Sequence, residues 1–532
     1  MSKLKVLNSH ISSCNILILY IVQDFSMPVH YDSFDHQIGL TNALLSEHEA
    51  KYTKARLQAR KHQLFRVTEA IKNATDVNRT KLIEDLSKLA ALISRYHIAL
   101  APYKKLPREM LQHIFHYVAL GCNMSGPSLH DAPLLLGRVC STWRRTVLGM
   151  PELWKDLHFF VENAHSRSQK VNAALMWFSR AGDSPLSLTI TDTSESSAPR
   201  EDFVNKIIVP FSHKFKYLHL VLQSSQVKAL FSLPVGSLDS LQELHVVAHT
   251  GPDPPRILPP WTPPISVFTP QARLRRIRIQ LTPFVVPQTF RLPWGRLETF
   301  RCDSSLQSED CHELLLSCQS LRKLHVRVFG IRYSGPSTVQ IPLPKLCSLT
   351  VQLCDRESYD LFFLPLILPA LRSLVIYNYD GLPWSHKMYS SLLERSGCQI
   401  EGLYLGTLDA ESHDVLALLQ LTPSVKSITF SHNTVVDTDV LRRVGDFSIG
   451  GRLEEIFLKG TRNLDSILTL LETREKAAST VIGGRQPTSP LKFIETFCDP
   501  EEAIVHSTRI QRLRNIGVEI NLLQTQEDHF HL

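Results

Sequence analysis

The segments LETFRC (297–302), LRKLHV (321–326), LCSLTV (346–351) and LRSLVI (371–376) decide the fold of this chain. Each has apolar residues at its first, fourth and sixth positions, and the alternation at its end is typical of a short β-strand with one buried face. The segments start at 297, 321, 346 and 371, which are 24 or 25 positions apart. A constant period of this length predicts a repeated supersecondary unit.

The same pattern recurs before and after these four segments. Further members start at Phe215, Leu241, Leu274, Ile400, Val425, Leu453, Leu491 and Leu513, the last two as closing members. The period resembles that of leucine-rich repeats, in which each strand joins a parallel sheet and each repeat buries its neighbour's apolar face. We therefore expect a leucine-rich-repeat solenoid over residues 161–532, with returning segments such as Cys311–Cys318 covering the outside of the sheet.

Composition limits the class of protein and its partners. With 532 residues the chain is too long for one compact core, and 43% hydrophobic with 20% charged residues is typical of a folded globular protein. The net charge of +7 is too small for a nucleic-acid-binding protein of this length. No run of about 20 apolar residues is present, so no membrane partner is expected. Ten cysteines without a C-x-x-C pair indicate a reducing compartment, the cytoplasm, the nucleus or both.

The first 39 residues are expected to be disordered or weakly ordered. Lys3 and Lys5 precede an apolar stretch, Ile16–Val22, as in a signal peptide, but the stretch is short and no cleavage site follows. Whether residues 1–26 belong to the mature protein stays open, since Met27 offers a second start.

The apolar pattern of residues 40–101 predicts two helices. Leu57, Leu64 and Ile71 recur every seven residues, and a second apolar stripe consists of Leu82, Leu86, Leu89 and Ile93. Ser46 and Glu49 have the spacing of a capping box, and Pro102 ends the second helix. A helical hairpin is the favoured interpretation, and a short coiled coil for dimerisation is the alternative.

Residues 104–160 contain four short motifs in a fixed order. They are Leu106, Pro107 and Glu109; Ile114 and Phe115; Val139, Cys140 and Trp143; and Pro151, Leu153 and Trp154. This arrangement resembles the F-box, although the stretch Gly121–Pro133 is longer than in a minimal F-box. Leu111, Ile114, Phe115 and Val118 supply one apolar helix face, and residues from Leu134 to Val147 supply a second. A helical hairpin of unrelated function is the alternative.

The resemblance implies a three-helix segment that binds a Skp-type adaptor and, through it, a cullin complex. The residues that would make or support this contact are Leu106, Pro107, Ile114, Phe115, Val139, Trp143, Leu153 and Trp154. The expected fold is thus α/β, with an all-α N-terminal segment, a helical hairpin plus the three-helix F-box, followed by the solenoid. The expected function is a non-catalytic substrate-recognition subunit of an SCF ubiquitin ligase. The alternative is an interaction scaffold without ubiquitin transfer.

Alternation along the predicted strands indicates which residues face the open side of the sheet. Six basic residues fall there on three successive strands: Arg276, Arg278, Arg301, Lys323, His325 and Arg327. They are candidates for binding an acidic or phosphorylated segment of a protein substrate, because arginine forks match carboxylate and phosphate. The alternative is a solvated face, with Asp303 offsetting part of the charge. Tyr377, Tyr404 and Phe457 are expected on the same side as aromatic anchors.

No catalytic residue, metal or cofactor is expected. The chain contains no G-x-S-x-G, H-E-x-x-H, P-loop or G-x-G-x-x-G motif. Cys302, Cys311, His312 and Cys318 match no zinc-site spacing. A hydrolase with residues assembled from distant segments is the least favoured alternative. The prolines of residues 251–264 are read as a surface loop, with a polyproline ligand as the alternative.

Overall fold

The computed structural model divides the chain into two compact units, residues 1–160 with 165–187, and residues 161–164 with 188–532. The structure describes residues 38–40, 44–73, 76–121, 131–161, 167–192, 203–249, 266–281, 291–330, 339–355, 361–378, 384–406, 409–431, 434–459, 463–479 and 490–524. The predictions on residues 1–37, on most of the Gly121–Pro133 stretch and on residues 251–264 lie outside the described residues. The fold is mixed α/β, with a helical N-terminal segment before a large parallel sheet.

Two long helices open the first unit. Helix α1 covers Glu47–Lys72 and helix α2 covers Asp76–Ala99, and the two pack against each other. The predicted capping box is present, because Glu49 N donates to Ser46 Oγ at 3.3 Å and Ser46 N donates to Glu49 Oε2 at 2.8 Å. Leu57, Leu92, Tyr96, Ala99 and Ile38 form a buried apolar cluster between them. Dimerisation through these helices stays a prediction.

Three shorter helices follow, α3 at Arg108–Gly121, α4 at Ala132–Val139 and α5 at Ser141–Leu148. Pro107 directly precedes α3, and its carbonyl accepts the first helical hydrogen bond from Leu111 N at 3.1 Å. The second apolar face, predicted from Leu134, Leu135, Val139, Trp143 and Val147, is divided between two helices, because Cys140 is extended and separates α4 from α5. Its sulfur accepts a hydrogen bond from Trp143 N and so caps α5.

The remaining elements of the first unit are a turn, a strand and a helix. A 3-10 turn at Pro151–Leu153 leads into strand β1 (Asp156–Val161), and helix α6 covers Arg167–Arg180. Trp177 on α6 donates its Nε1–H to the carbonyl of Asp156 at 3.1 Å. The proline at the start of the turn suits a first helical position, because its missing N–H has no intrahelical partner there.

The second unit is built on a long sheet whose strands follow chain order. Its strands are β2 (Leu186–Asp192), β3 (Phe215–Gln223), β4 (Glu243–His249), β5 (Arg276–Leu281), β6 (Thr299–Gln307), β7 (Lys323–Phe329), β9 (Ser348–Leu353), β11 (Ser373–Asn378), β12 (Gly402–Gly406), β13 (Ser427–Phe430), β14 (Glu455–Leu458), β15 (Phe493–Cys498) and β16 (Glu519–Gln524). Every pairing from β3 to β16 is parallel. Strands β8 (Ile341–Pro342) and β10 (Leu366–Ile367) form a separate parallel pair.

Helices connect many of these strands, as parallel pairing requires a crossover between neighbours. They are α7 (Ser224–Phe231), α8 (Ser308–Leu316), α9 (His386–Ser396), α10 (Ser412–Leu421), α11 (Thr438–Gly445), α12 (Leu464–Ser479), α13 (Pro500–Val505) and α14 (Ser507–Asn515). A π-helical turn at Val204–Ile208 continues as Val209–Phe211. The returning segment Cys311–Cys318, expected as a helix or a turn, is helical as far as Leu316 within α8, which contacts β6 and β7.

The quoted leucine segments form strands β6, β7, β9 and β11, and their apolar side chains are buried. Each pairs in register with the next, so that Phe300, Leu324, Leu349 and Leu374 form one buried row. The parallel sheet predicted from their spacing is therefore confirmed. The closing member placed at Leu513 is wrong, because Leu513 lies in helix α14 and the last strand begins later, at Glu519.

Candidate functional site

Several residues of the F-box-like segment build its core. Phe115, Leu153 and Trp154 are buried, and Trp143 is half-buried. The Trp143 ring lies edge-on to Phe115 and Tyr103, with ring centroids 4.9 Å and 5.7 Å away. Phe115, Leu153 and Trp154 therefore stabilise the interior of the segment, whereas part of the Trp143 side chain stays accessible.

Trp154 is the centre of a second buried contact. It donates its Nε1–H to the carbonyl of Val147 at 3.0 Å, and its ring centroid lies 5.0 Å from that of Trp177. The guanidinium of Arg180 lies over the same ring at 4.6 Å. Trp154 therefore ties helix α5 to helix α6 through one hydrogen bond and its ring faces.

A different face of α3 carries exposed apolar side chains. Met110 is 50% exposed, Ile114 38%, Tyr117 72% and Leu120 70%. Steps of four, three and three residues place them along one side of the helix, which we call the α3 stripe. Of the residues predicted to contact the adaptor, Ile114 belongs to the stripe, Pro107 is exposed, and Leu106 and Val139 are half-buried.

Sequence reasoning missed Met110, Tyr117 and Leu120. The signal was present, because their spacing defines a second apolar stripe on a helix whose other apolar side contains buried Leu111 and Phe115. Only one of the two apolar faces of α3 packs into the core of the segment, so the other face stays exposed. Exposed apolar patches of this kind mark interaction sites.

The open face of the sheet brings the predicted basic residues together. Arg278 on β5 is the register partner of Arg301 on β6, which in turn is the partner of His325 on β7. Arg276 lies two residues before Arg278 on β5, and Lys323 lies two residues before His325 on β7. Both are exposed. Arg327 lies two residues after His325, is half-buried, and directs its Nε toward Cys354 Sγ at 3.5 Å.

This surface is not an uncompensated basic patch. Arg276 Nε lies 2.7 Å from Glu243 Oε2. Asp303 lies among the others, with Arg278 Nε 2.7 Å and Arg301 Nε 2.8 Å from its carboxylate oxygens. Burial raises the pKa of Asp303, but hydrogen bonds from the two arginines outweigh it and hold that pKa below its ordinary value. Asp303 is therefore ionised, and it is shared by both guanidinium groups.

A β-bulge includes Asp303. Cys302 pairs with Val326, but the next pair is Ser305 with Arg327, so Asp303 and one neighbour have no partner on β7. That neighbour, Ser304, donates its hydroxyl to the carbonyl of Leu281 at 2.5 Å and accepts from Leu281 N at 2.6 Å. The alternation of buried and open positions continues through the bulge, so Asp303 lies on the open face together with Arg301.

Two histidines next to the arginines are neutral. His245 stacks on His219 with ring centroids 3.9 Å apart. Burial, His219 and Arg278 lower the pKa of His245 to about 4. Burial and the charge of Arg301 likewise lower the pKa of His325. At neutral pH the positive charge here therefore resides on the arginines and Lys323.

Aromatic side chains continue the open face toward the C-terminus. The rings of Tyr377 on β11 and Tyr404 on β12 have centroids 5.0 Å apart, and Lys459 Nζ lies 5.7 Å from the Tyr404 centroid. Phe457 pairs with Phe493 at 5.0 Å. Sequence reasoning did not single out Phe493, although its place at the start of β15 follows from the same alternation. All four rings are half-buried.

The cysteines near α8 are buried thiols. Burial raises the pKa of Cys302 and of Cys318 to about 12, and it raises that of Cys311 as well. His312 Nε2 lies 2.9 Å from the carbonyl of Phe362. Within the described ranges, no group of three His, Cys, Asp or Glu side chains is arranged to hold a metal ion.

Comparison with known protein families and with curated proteins found no match. Among the helices that the structure describes, none is both long enough and apolar enough to cross a membrane.

Proposed function

We propose that this chain is a substrate-recruiting subunit of a cullin-type ubiquitin ligase and that its α3 stripe binds a Skp-type adaptor. The α3 stripe carries the proposal. It lies inside the segment whose four motifs resemble the F-box, and its four side chains, Met110, Ile114, Tyr117 and Leu120, are exposed. Phe115 and Trp143 support the contact indirectly, since they hold α3 against α5.

The second unit is proposed to be a leucine-rich-repeat solenoid that binds the protein substrate. Strands β6, β7, β9 and β11 start 24 or 25 residues apart, and all strands from β3 to β16 lie in chain order and pair only in parallel, which supports this interpretation. Such sheets offer one continuous face built from many strands. In the proposed complex the chain supplies proximity, holding a substrate lysine near a ubiquitin-charged enzyme bound elsewhere.

The adaptor contact is tested by co-purifying the full chain with a Skp-type adaptor. The double variant Ile114→Glu with Tyr117→Glu places two charges in the α3 stripe, and we expect it to lose at least 100-fold in affinity. His116→Glu is the matched control, because His116 is exposed on the same helix but outside the stripe. Circular dichroism checks that all variants keep their helices. Equal adaptor binding by the double variant and the control overturns the proposal.

Ubiquitin transfer separates the ligase from a scaffold without transfer. Proteins that co-purify with the full chain are identified, and their levels are followed in cells that carry the stripe variant. A ligase subunit predicts that at least one bound protein accumulates when the stripe is charged. Unchanged levels of every bound protein favour the scaffold.

A further inference from the structure

Arg278 and Arg301 use only part of their hydrogen-bonding capacity. Each donates its Nε–H to Asp303. Among the described residues, neither arginine makes a hydrogen bond through its terminal Nη atoms. The two side chains are 37% and 39% exposed. Four terminal amino groups therefore remain on adjacent strands for an external acceptor.

Asp303 fixes the two guanidinium groups before any ligand binds. Its side chain is only 15% exposed, and its backbone is anchored by the bulge described above. Ordering a free arginine costs side-chain entropy, and a preorganised pair has already lost that freedom. The two arginines and Asp303 together carry a charge of about +1, and exposed Lys323 adds another on the next strand.

We propose that Arg278 and Arg301 bind the phosphate group of a phosphorylated serine or threonine in the protein substrate. This inference rests on the proposed role of the sheet as the substrate-binding surface, and it names the substrate class. The receptor consists of the two arginines as direct ligands, Lys323 as a nearby charge, and Asp303 as a positioning residue.

Phosphate fits the site better than a carboxylate does. A guanidinium fork pairs with two oxygens, so two neighbouring forks require three or more acceptor oxygens on one group. A phosphate supplies three oxygens and nearly two negative charges at neutral pH. A carboxylate supplies two oxygens and one charge, so it can satisfy only one of the two guanidinium forks.

The aromatic pair Tyr377 and Tyr404 indicates the direction in which a bound peptide would extend from the phosphate site. Three strand steps of about 4.8 Å separate β6 from β11, so the backbone at Tyr377 lies about 15 Å from Arg301. An extended peptide rises about 3.3 Å per residue. We therefore expect an apolar substrate residue about four or five positions from the phosphorylated one.

The test presents the full chain with a random-sequence peptide pool that carries one fixed phosphoserine, beside pools with serine or glutamate at that position. We expect at least tenfold more retention of the phosphoserine pool, with apolar residues enriched about four or five positions away. Equal retention of the phosphoserine and glutamate pools overturns the proposal. Equal competition by an oligonucleotide of the same charge also overturns it, since the site then recognises charge alone.

Variants of the receptor decide which residues act. Arg278→Gln with Arg301→Gln should abolish the preference for phosphoserine. Arg372→Gln should not, because Arg372 is an exposed arginine directly before β11 that pairs with Glu401 directly before β12. Asp303→Asn makes the site more positive but releases the guanidinium groups. Preorganisation predicts weaker phosphopeptide binding for this variant, and tighter binding overturns the role given to Asp303.

Adaptor binding is measured on the same variants. The proposal for the sheet and the proposal for the α3 stripe fail separately, because the peptide test uses the chain without an adaptor. Selective phosphopeptide binding without adaptor binding would support the proposed phosphate site and contradict the proposed ligase function. Adaptor binding without phosphopeptide selectivity would contradict only the proposed phosphate site.

Discussion

The guanidinium group of Arg474 lies over the ring of Phe447, with its Cζ atom 4.2 Å from the ring centroid. Phe447 has a φ of 60°, a left-handed conformation that costs a non-glycine residue about 1–2 kcal/mol. Arg474 is 1% exposed and donates to the carbonyls of Val444, Gly450 and Leu453 at 2.7, 3.1 and 3.0 Å. The buried side chain of Arg474 thus stabilises the connection between α11 and β14 by hydrogen bonds to its backbone carbonyls.

We expect Arg474→Lys to destabilise the protein by about 2–4 kcal/mol. A lysine ammonium cannot reach several carbonyls at once, so buried acceptors lose their donors. Arg442→Lys is the control, because Arg442 is 61% exposed and its ion pairs with Asp439 and Asp446 contribute little. Urea denaturation measures both variants. A loss for Arg474→Lys no larger than that of the control would contradict the structural role of Arg474.

Gly406→Ala is predicted to displace the tyrosine pair on the open face. A Cβ atom at Gly406 would lie 2.7 Å from Tyr404 Cε1 and 2.9 Å from Tyr377 Cδ1, closer than side chains pack. We expect a change in the near-ultraviolet circular dichroism of tyrosine and a loss of about 1–3 kcal/mol. Gly402→Ala, on the same strand, would meet only Ser373 Oγ, at 3.9 Å. Identical spectra for the two variants would refute the close contact.

The strands were predictable because burial imposes a periodic pattern on the sequence. Phe300, Leu324, Leu349 and Leu374 had to be apolar to fill one core row, and their spacing carries that requirement. The same reasoning failed at Leu513. An amphipathic helix also repeats apolar residues at steps of three, as with Ile510 and Leu513 of α14, so a short leucine pattern does not distinguish the two elements.

The pairing on the open face was not predictable in full. Alternation places Arg278, Arg301 and His325 on one side of the sheet, and it does so correctly. It does not reveal the bulge, because two extra residues leave the pattern of buried positions nearly unchanged. Alternation also places Asp303 on this side, as the sequence interpretation that it offsets part of the charge assumed. Its direct hydrogen bonds to Arg278 and Arg301 required the three-dimensional structure.

Trp154→Phe should destabilise the first unit by about 1–3 kcal/mol. The indole N–H satisfies the buried carbonyl of Val147, and phenylalanine leaves that carbonyl without its donor. Trp143→Phe is the matched control, because the Trp143 ring N–H has no acceptor among the described residues and the ring is only half-buried. Thermal unfolding followed by circular dichroism measures both. Equal losses would show that ring volume, rather than the hydrogen bond, determines the effect.

His245 is expected to make the protein sensitive to acid. Burial, His219 and Arg278 lower its folded-state pKa to about 4, whereas an unfolded chain has a histidine pKa of about 6.5. As the pH falls through this interval, the unfolded state binds a proton that the folded state does not bind. The stability contributed by neutral His245 is therefore complete above pH ~6.5 and is lost progressively down to pH ~4.

His245→Gln removes this group while keeping a polar side chain next to His219. We expect the unfolding temperature of the variant to fall less steeply between about pH 6.5 and 4.5 than that of the wild type, since one fewer proton is taken up on unfolding. His413→Gln serves as the control, because the His413 side chain is 75% exposed. Parallel pH curves for the wild type and His245→Gln would mean that His245 accepts a proton in the folded sheet, against the effect of the stacked His219 ring and Arg278.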